Sequence, residues 1–150
     1  MAKRRKYSAE QITQSAILLT EIILANRKPE ILDAHLRRVL GELIWKTTEA
    51  DGKHNTAYWS EAAIACADRR KLVHEHVITK KDLIDQLLAA EPTEAGLILN
   101  QAVACIVTTD EHNNLSKHDK TAKGWRRYDL AEVRVVDRRT GKLRGNPAIN

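Results

Sequence analysis

Residues 72–78 read LVHEHVI, and this stretch with its continuation decides the fold. Its residues alternate as in a strand, and residues 79–82 (TKKD) then place an acid three positions after a threonine, which is typical of a helix start. The pattern occurs again, since residues 103–107 (VACIV) predict a buried strand and residues 108–111 (TTDE) predict a capped helix that carries His112. Two strands that each lead into a capped helix predict an α+β protein.

Helical signals dominate the chain before this region. Residues 8–11 (SAEQ) form a capping box that opens an amphipathic helix. From Pro29 onward, apolar residues again recur at helical spacing and predict a second helix. The first two helices are therefore expected to form a hairpin. A third helix is predicted to run through Tyr58 and Trp59 to Cys66.

Shorter elements complete the prediction. Pro92 begins another helical stretch, residues 131–136 alternate as a third strand, and the residues after Gly145 are expected to be loose. We therefore expect one mostly helical α+β domain over residues 1–150. Its expected parts are a helical scaffold at residues 8–71, a region with the candidate site residues at 72–117 and a basic tail with a strand at residues 118–150.

The composition excludes several classes of protein. With 150 residues, 43% hydrophobic residues, 4% aromatic residues and no Phe, the chain suits one domain with a core of Leu, Ile, Val and Ala. No apolar run reaches the roughly 18 residues of a membrane span, and we find no secretory signal. Cys66 and Cys105 lie in apolar contexts without a CxxC pair, which indicates reduced thiols in a cytoplasmic protein, with a single disulfide as the alternative.

Positive charge is concentrated in the last third of the chain. Residues 117–144 hold 10 basic and 4 acidic residues, a net +6, although the whole chain carries only +5. A basic region on a neutral body predicts a nucleic-acid partner, DNA in the first place and RNA as the alternative, while a solvated charged face is the structural explanation. Lys3–Lys6 adds a second basic cluster. The predicted phosphate contacts are Lys117, Lys120, Lys123, Arg126 and Arg134.

The histidine-containing segments resemble the ββα-metal motif of the HNH nuclease superfamily. In the sequence, Glu75-His76 ends one strand and His112 follows the second strand in the first turn of its helix. The resemblance implies that Glu75 and His112 bind a divalent ion, Mg²⁺ or Mn²⁺ first and Zn²⁺ or Ni²⁺ as alternatives. It also implies that His76 activates a water molecule, and that the protein hydrolyses DNA phosphodiester bonds. This motif would contain a helical insertion between its strands and be followed by a carboxy-terminal strand.

Further residues are assigned less directly. Asn100 is the nearest counterpart of the middle Asn of the motif, and His74 and His118 are additional candidates. Arg127 or Arg126 is expected to hold the scissile phosphate, because a guanidinium group binds phosphate through two parallel hydrogen bonds. Strand alternation places the imidazoles of residues 74 and 76 on one face and the carboxylate of residue 75 on the other.

Other functions fit the same sequence. The histidines can be structural in a non-catalytic nucleic-acid-binding module or regulator. A zinc-stabilised interaction subunit is also open, with ligands drawn from Cys66, His74, His76, Cys105 and His112. The amino-terminal helices then serve either as a scaffold or as the contact surface of a homodimer.

Overall fold

The structure, a computed structural model, describes residues 6–145 and contains seven α-helices and five strands in that range. The helices are α1 (Ala9–Ala25), α2 (Asp33–Thr48), α3 (Glu61–Ala65), α4 (Lys80–Ala89), α5 (Ala95–Leu99), α6 (Thr109–Ser116) and α7 (Trp125–Leu130). The strands are β1 (Tyr58–Ser60), β2 (Leu72–His76), β3 (Ala104–Thr108), β4 (Val135–Asp137) and β5 (Lys142–Leu143). The predicted α+β class, mostly helical with an amino-terminal hairpin, is confirmed. No described helix is long and apolar enough to cross a bilayer.

The chain divides into two compact units. The helical unit comprises residues 1–53 and 80–102, and the sheet unit comprises residues 54–79 and 103–150, each within the described range. These limits differ from the expected divisions at residues 71 and 117, because residues 80–102 join the amino-terminal helices. The expected loose residues after Gly145, and all of Lys3–Lys6 except Lys6, lie outside the described residues.

Local capping sets the start of the helical unit. The Ser8 hydroxyl accepts a hydrogen bond from the backbone N–H of Gln11 at 3.1 Å, and the Gln11 side chain accepts one from the N–H of Ser8 at 2.9 Å, so the predicted capping box is confirmed. Helices α1 and α2 pack against each other and α4 packs on α2, and Leu83 and Leu87 of α4 are fully buried. Helix α2 begins at Asp33 rather than at Pro29, since residues 29–32 form a turn and a bend.

The sheet unit is built on a mixed sheet with the strand order β2-β3-β1-β4-β5. Strands β1 and β3 are parallel, and the other neighbours are antiparallel. The helix predicted through Tyr58 and Trp59 is wrong, because these residues pair with both β3 and β4 in the middle of the sheet. The helix starts only at Glu61, where the Ser60 hydroxyl accepts a hydrogen bond from the N–H of Ala63 at 3.0 Å.

The end of the chain also differs from the prediction. The strand expected at residues 131–136 begins only at Val135, and a second short strand, β5, pairs with it. Glu132 has a φ angle of 55°, which interrupts the extended backbone that the alternation predicted. The described residues therefore form five strands rather than three.

The helical insertion does not prevent the two motif strands from pairing. Strands β2 and β3 are antiparallel neighbours in unbroken register from Leu72 opposite Thr108 to His76 opposite Ala104. Helix α6 follows β3 directly and packs on both strands. The predicted strand–insertion–strand–helix order is thus present as an antiparallel strand pair covered by a helix.

Two hydrophobic clusters lie on the two faces of the sheet. One contains Cys105, Val107, Leu115 and Tyr128, and it joins the sheet to α6 and α7. The other contains Trp59, Ala63, Leu72 and Ile106 and joins the sheet to α3. Because successive residues of a strand point to opposite faces, Glu75 lies on the α6 face and residues 74 and 76 lie on the α3 face.

Candidate functional site

A carboxylate and an imidazole meet where β2 ends beneath the start of α6. Thr108 caps α6 through a hydrogen bond from the N–H of Glu111 at 3.3 Å, and the Glu111 side chain accepts a bond from the N–H of Thr108 at 2.8 Å. This confirmed capping box fixes the first turn of α6, where His112 lies. Nδ1 of His112 and Oε2 of Glu75 are 2.6 Å apart. Two residues that are 37 positions apart in the chain thus form a direct pair.

A buried arginine holds the other side of the same carboxylate. Arg127 is 1% exposed, and its Nη2 donates to Oε1 of Glu75 at 3.1 Å. The same nitrogen donates to the main-chain oxygens of His76 at 2.6 Å and Val77 at 3.0 Å, while Nη1 donates to Asp119. We refer to Glu75, His112, Arg127 and Asp119 as the Glu75 network.

The opposite charges of the Glu75 network stabilise the charged form of Arg127. Burial by itself lowers the pKa of Arg127, but Glu75 and Asp119 outweigh it, and the pKa is raised overall. With a neutral imidazole, two carboxylates and one guanidinium leave the network one net negative charge. A metal cation on the imidazole side of Glu75 is therefore electrostatically favoured. The imidazole is accessible, since the His112 side chain is 40% exposed and its Nε2 has no hydrogen-bond partner among the described residues.

The other two strand histidines occupy the opposite face of β2. His74 is 4% and His76 is 6% exposed, and their ring centroids are 5.5 Å apart. The structure therefore brings Glu75 together with His112 but leaves the imidazole of His76 on the other side of the strand. The predicted alternation explains this placement, which separates the imidazole of His76 from Glu75 and His112.

The outlying candidates do not join the network. Asn100 belongs to the helical unit, where it is exposed and forms the C-cap of α5. His118 lies in the turn after α6, and its main-chain oxygen accepts bonds from Thr121 and Ala122. Among the described residues, no hydrogen bond connects the His118 side chain to Glu75 or Arg127.

Arg126 and Arg127, two consecutive residues of α7, differ in burial. Arg126 is exposed on α7, whereas Arg127 is buried and its guanidinium donates to two carboxylates and two main-chain oxygens. Burial favours a positioning role for Arg127 over the direct phosphate contact expected from the sequence, and leaves Arg126 as the accessible arginine of the pair. Trp125 and Tyr128 pack against each other with ring centroids 5.0 Å apart and contribute to the core.

The predicted phosphate contacts are on the surface. Lys117, Lys120, Lys123 and Arg126 are exposed, and Arg134 is exposed but paired with Glu61 at 3.1 Å. Such exposed pairs are worth at most about 1 kcal/mol, so Arg134 can exchange its partner for a phosphate.

Sequence reasoning missed Asp119 and the cations stacked on aromatic rings. Asp119 stands among basic residues, and no local pattern marks it as a partner of Arg127. The guanidinium groups of Arg138, Arg139 and Arg144 lie 4.8, 5.3 and 4.5 Å from the ring centroids of Trp59, Tyr58 and Trp125, respectively. The only available signal was the enrichment of arginines near the aromatic residues.

The five side chains named as alternative zinc ligands are not gathered at one point. Cys105 is buried in the cluster with Tyr128, whereas Cys66 packs against the cluster on the other face of the sheet. Burial, with a smaller contribution from Glu111, raises the pKa of the Cys105 thiol well above its usual range, which disfavours the thiolate that binds zinc. Within residues 6–145, no three His, Cys, Asp or Glu side chains are grouped so that they could hold a metal ion.

Comparison with known proteins adds no relative. No protein-family model, no curated protein and no solved structure matches this chain significantly.

Proposed function

We propose that this protein is a divalent-metal-dependent endonuclease of the HNH type that hydrolyses phosphodiester bonds in DNA. The observation that carries the proposal is the pairing of Glu75 on β2 with His112 in the first turn of α6, at 2.6 Å, on an antiparallel strand pair covered by that helix. The resemblance of the sequence segments to the ββα-metal motif rests on the same residues. RNA is the alternative substrate.

The donor chemistry of the Glu75 network suits such an ion. Oε2 of Glu75 and Nδ1 of His112 already converge, and Arg127 occupies only Oε1 of the carboxylate. Mg²⁺ and Mn²⁺ accept carboxylate ligands, and Mg²⁺ commonly uses only one or two protein side chains while water and phosphate oxygens complete its shell. Glu75 and His112 would hold the ion through Oε2 and Nδ1, with the imidazole proton on Nε2. A divalent ion there supplies neutralisation of charge on the scissile phosphate and the leaving oxygen.

Other residues complete the proposal. His76 is the proposed base because the resemblance assigns it this role and because an imidazole accepts a proton from water near neutral pH. Its ring lies beside His74 on the face of β2 opposite Glu75, so accepting that proton requires the side chain to reach the Glu75 face. Lys117, Lys120, Lys123 and Arg126 supply exposed positive charge for the DNA backbone.

The remaining assignments concern the setting of the protein. We propose a cytoplasmic location, since both described cysteines are free. A homodimer through the amino-terminal helices is proposed on the exposed apolar residues Leu18, Leu19 and Ile22 of α1. Light scattering of the purified protein tests this, because a monomer at all concentrations contradicts it.

Nicking of supercoiled plasmid tests the proposed activity. The purified chain is incubated with Mg²⁺, Mn²⁺, Ni²⁺ or Zn²⁺, with EDTA as the negative control. Nicking is expected with at least one ion, and Glu75→Gln and His112→Ala are expected to reduce it to the plasmid background. His76→Ala is expected to reduce it by about 10²- to 10⁴-fold, the usual contribution of a general base. His35→Ala, an exposed histidine on α2, is the matched control.

Three outcomes separate the alternatives. If His76→Ala nicks as fast as the wild type while His112→Ala does not, the base is not His76. If every variant retains nicking, the activity does not come from the Glu75 network. If the wild type binds DNA in a salt-dependent manner and never cleaves it, the protein is a non-catalytic nucleic-acid-binding module.

A further inference from the structure

Arg127 makes more contacts than a buried ion pair requires. Its guanidinium reaches two carboxylates, those of Glu75 and Asp119, and two consecutive main-chain oxygens at the end of β2. It is 1% exposed although it belongs to α7, and its contacts join three segments of the chain: the end of β2, α7 and the turn after α6. A charge this deeply buried costs free energy unless its hydrogen bonds are satisfied.

The geometry of these contacts depends on the guanidinium group. One nitrogen donates to Glu75 and to both main-chain oxygens, while the other donates to Asp119. A planar fork with several donors in fixed directions can do this, but the single ammonium group of a lysine cannot cover both ends. Arg127 therefore fixes the position of Oε1 of Glu75, and with it the direction in which Oε2 points.

The direction of Oε2 determines the state of the imidazole. With Oε2 2.6 Å from Nδ1 of His112, a neutral imidazole must carry its proton on Nδ1, because a carboxylate only accepts hydrogen bonds. Nε2 is then the unprotonated nitrogen, and it belongs to a side chain that is 40% exposed.

We propose that Arg127 is a positioning residue, which fixes the Glu75 carboxylate and thereby holds His112 as its Nδ1–H tautomer. Asp119 holds the outer end of the guanidinium. The catalytic consequence of this arrangement rests on the proposed nuclease function, but the tautomer of His112 does not. Glu75 and His112 would hold a divalent ion through Nδ1 only once this proton moves to Nε2, so loading with diamagnetic Mg²⁺ would change the tautomer signal.

Long-range ¹H–¹⁵N NMR spectra of the histidine rings test the proposal above pH 7.5, in metal-free protein. The wild type is expected to show His112 as a single Nδ1–H tautomer. In Arg127→Lys, which keeps the charge, the signals are expected to move toward the mixture of free imidazole. Plasmid nicking by this variant is expected to fall by about 10- to 100-fold, as is usual when the partner of a metal-bound side chain is lost. The matched control is Arg70→Lys, at an exposed arginine that pairs with Asp68 at 3.0 Å.

Several results would overturn the proposal. An unchanged His112 spectrum in a folded Arg127→Lys protein shows that the arginine does not position the pair. If Arg127→Lys does not fold, Asp119→Ala decides, since Asp119 is 41% exposed and its loss leaves Nη1 of the guanidinium without its acceptor. An unchanged spectrum in that variant assigns Arg127 to stability alone. If the tautomer depends on Arg127 and the wild type never nicks DNA, the nuclease function fails and the positioning role stands.

Discussion

The two faces of strand β2 place polar side chains that are adjacent in sequence in different environments. On the α6 face, Glu75 joins a charged network that ends at a half-exposed imidazole. On the α3 face, His74 and His76 are buried side by side, with ring centroids 5.5 Å apart. Three consecutive residues of one short strand are thus divided by the pleat alone. Adjacency in sequence therefore does not place side chains at one site, whereas the contact across 37 residues between Glu75 and His112 does.

The largest loss of stability is expected from removing the guanidinium of Arg127, which lies at the centre of the Glu75 network. Arg127→Ala leaves Glu75 and two main-chain oxygens without their buried donor, and breaking a buried ion pair in this way costs about 3–5 kcal/mol. Urea denaturation measures the loss. Arg70→Ala is the matched control, because Arg70 pairs with Asp68 at the surface and such pairs are worth at most about 1 kcal/mol. Equal losses in the two variants would contradict the burial of the Glu75 network.

A smaller effect is expected where α6 presents His112 to this face. Thr108→Ala removes the hydroxyl that caps the helix and is expected to cost about 1 kcal/mol in the free energy of unfolding. Thr108→Ser keeps the hydroxyl and is expected to retain most of the stability. If the alanine and serine variants unfold at the same urea concentration, the cap does not hold the first turn of α6.

The two cysteines test the difference between the two faces of the sheet through their chemical reactivity, without a substitution that changes stability. Cys105 lies in the core on the α6 face, where burial raises the pKa of its thiol well above its usual range. Because a raised pKa removes the reactive thiolate, Cys105 is expected to stay unmodified by a thiol reagent at pH 8, when an accessible cysteine reacts readily. Cys66 is only partly buried and is expected to react first. Mass spectrometry after timed labelling of folded protein identifies the modified cysteine, and faster labelling of Cys105 would contradict its placement.

Local signals anticipated several parts of this arrangement. The capping boxes at Ser8 and Thr108 were recognisable because each needs only two residues three positions apart. The alternation of β2 indicated which residues share a face, and thus the separation of Glu75 from His76. The same reasoning failed for Tyr58 and Trp59, because pairing with β3 and β4 outweighs local helical spacing.

By itself, the sequence determined the mostly helical α+β class, the amino-terminal hairpin and the two strand-to-helix segments that carry Glu75 and His112. Each of these depends on residues within a few positions of one another, so local spacing and capping suffice to specify them. Only the tertiary structure decided that β2 pairs with β3 across a helical insertion, that Arg127 is buried against Glu75, and that Asp119 completes the network. These contacts join residues far apart in the chain or in separate turns, and burial rather than local pattern selects which of several arginines and acids meet.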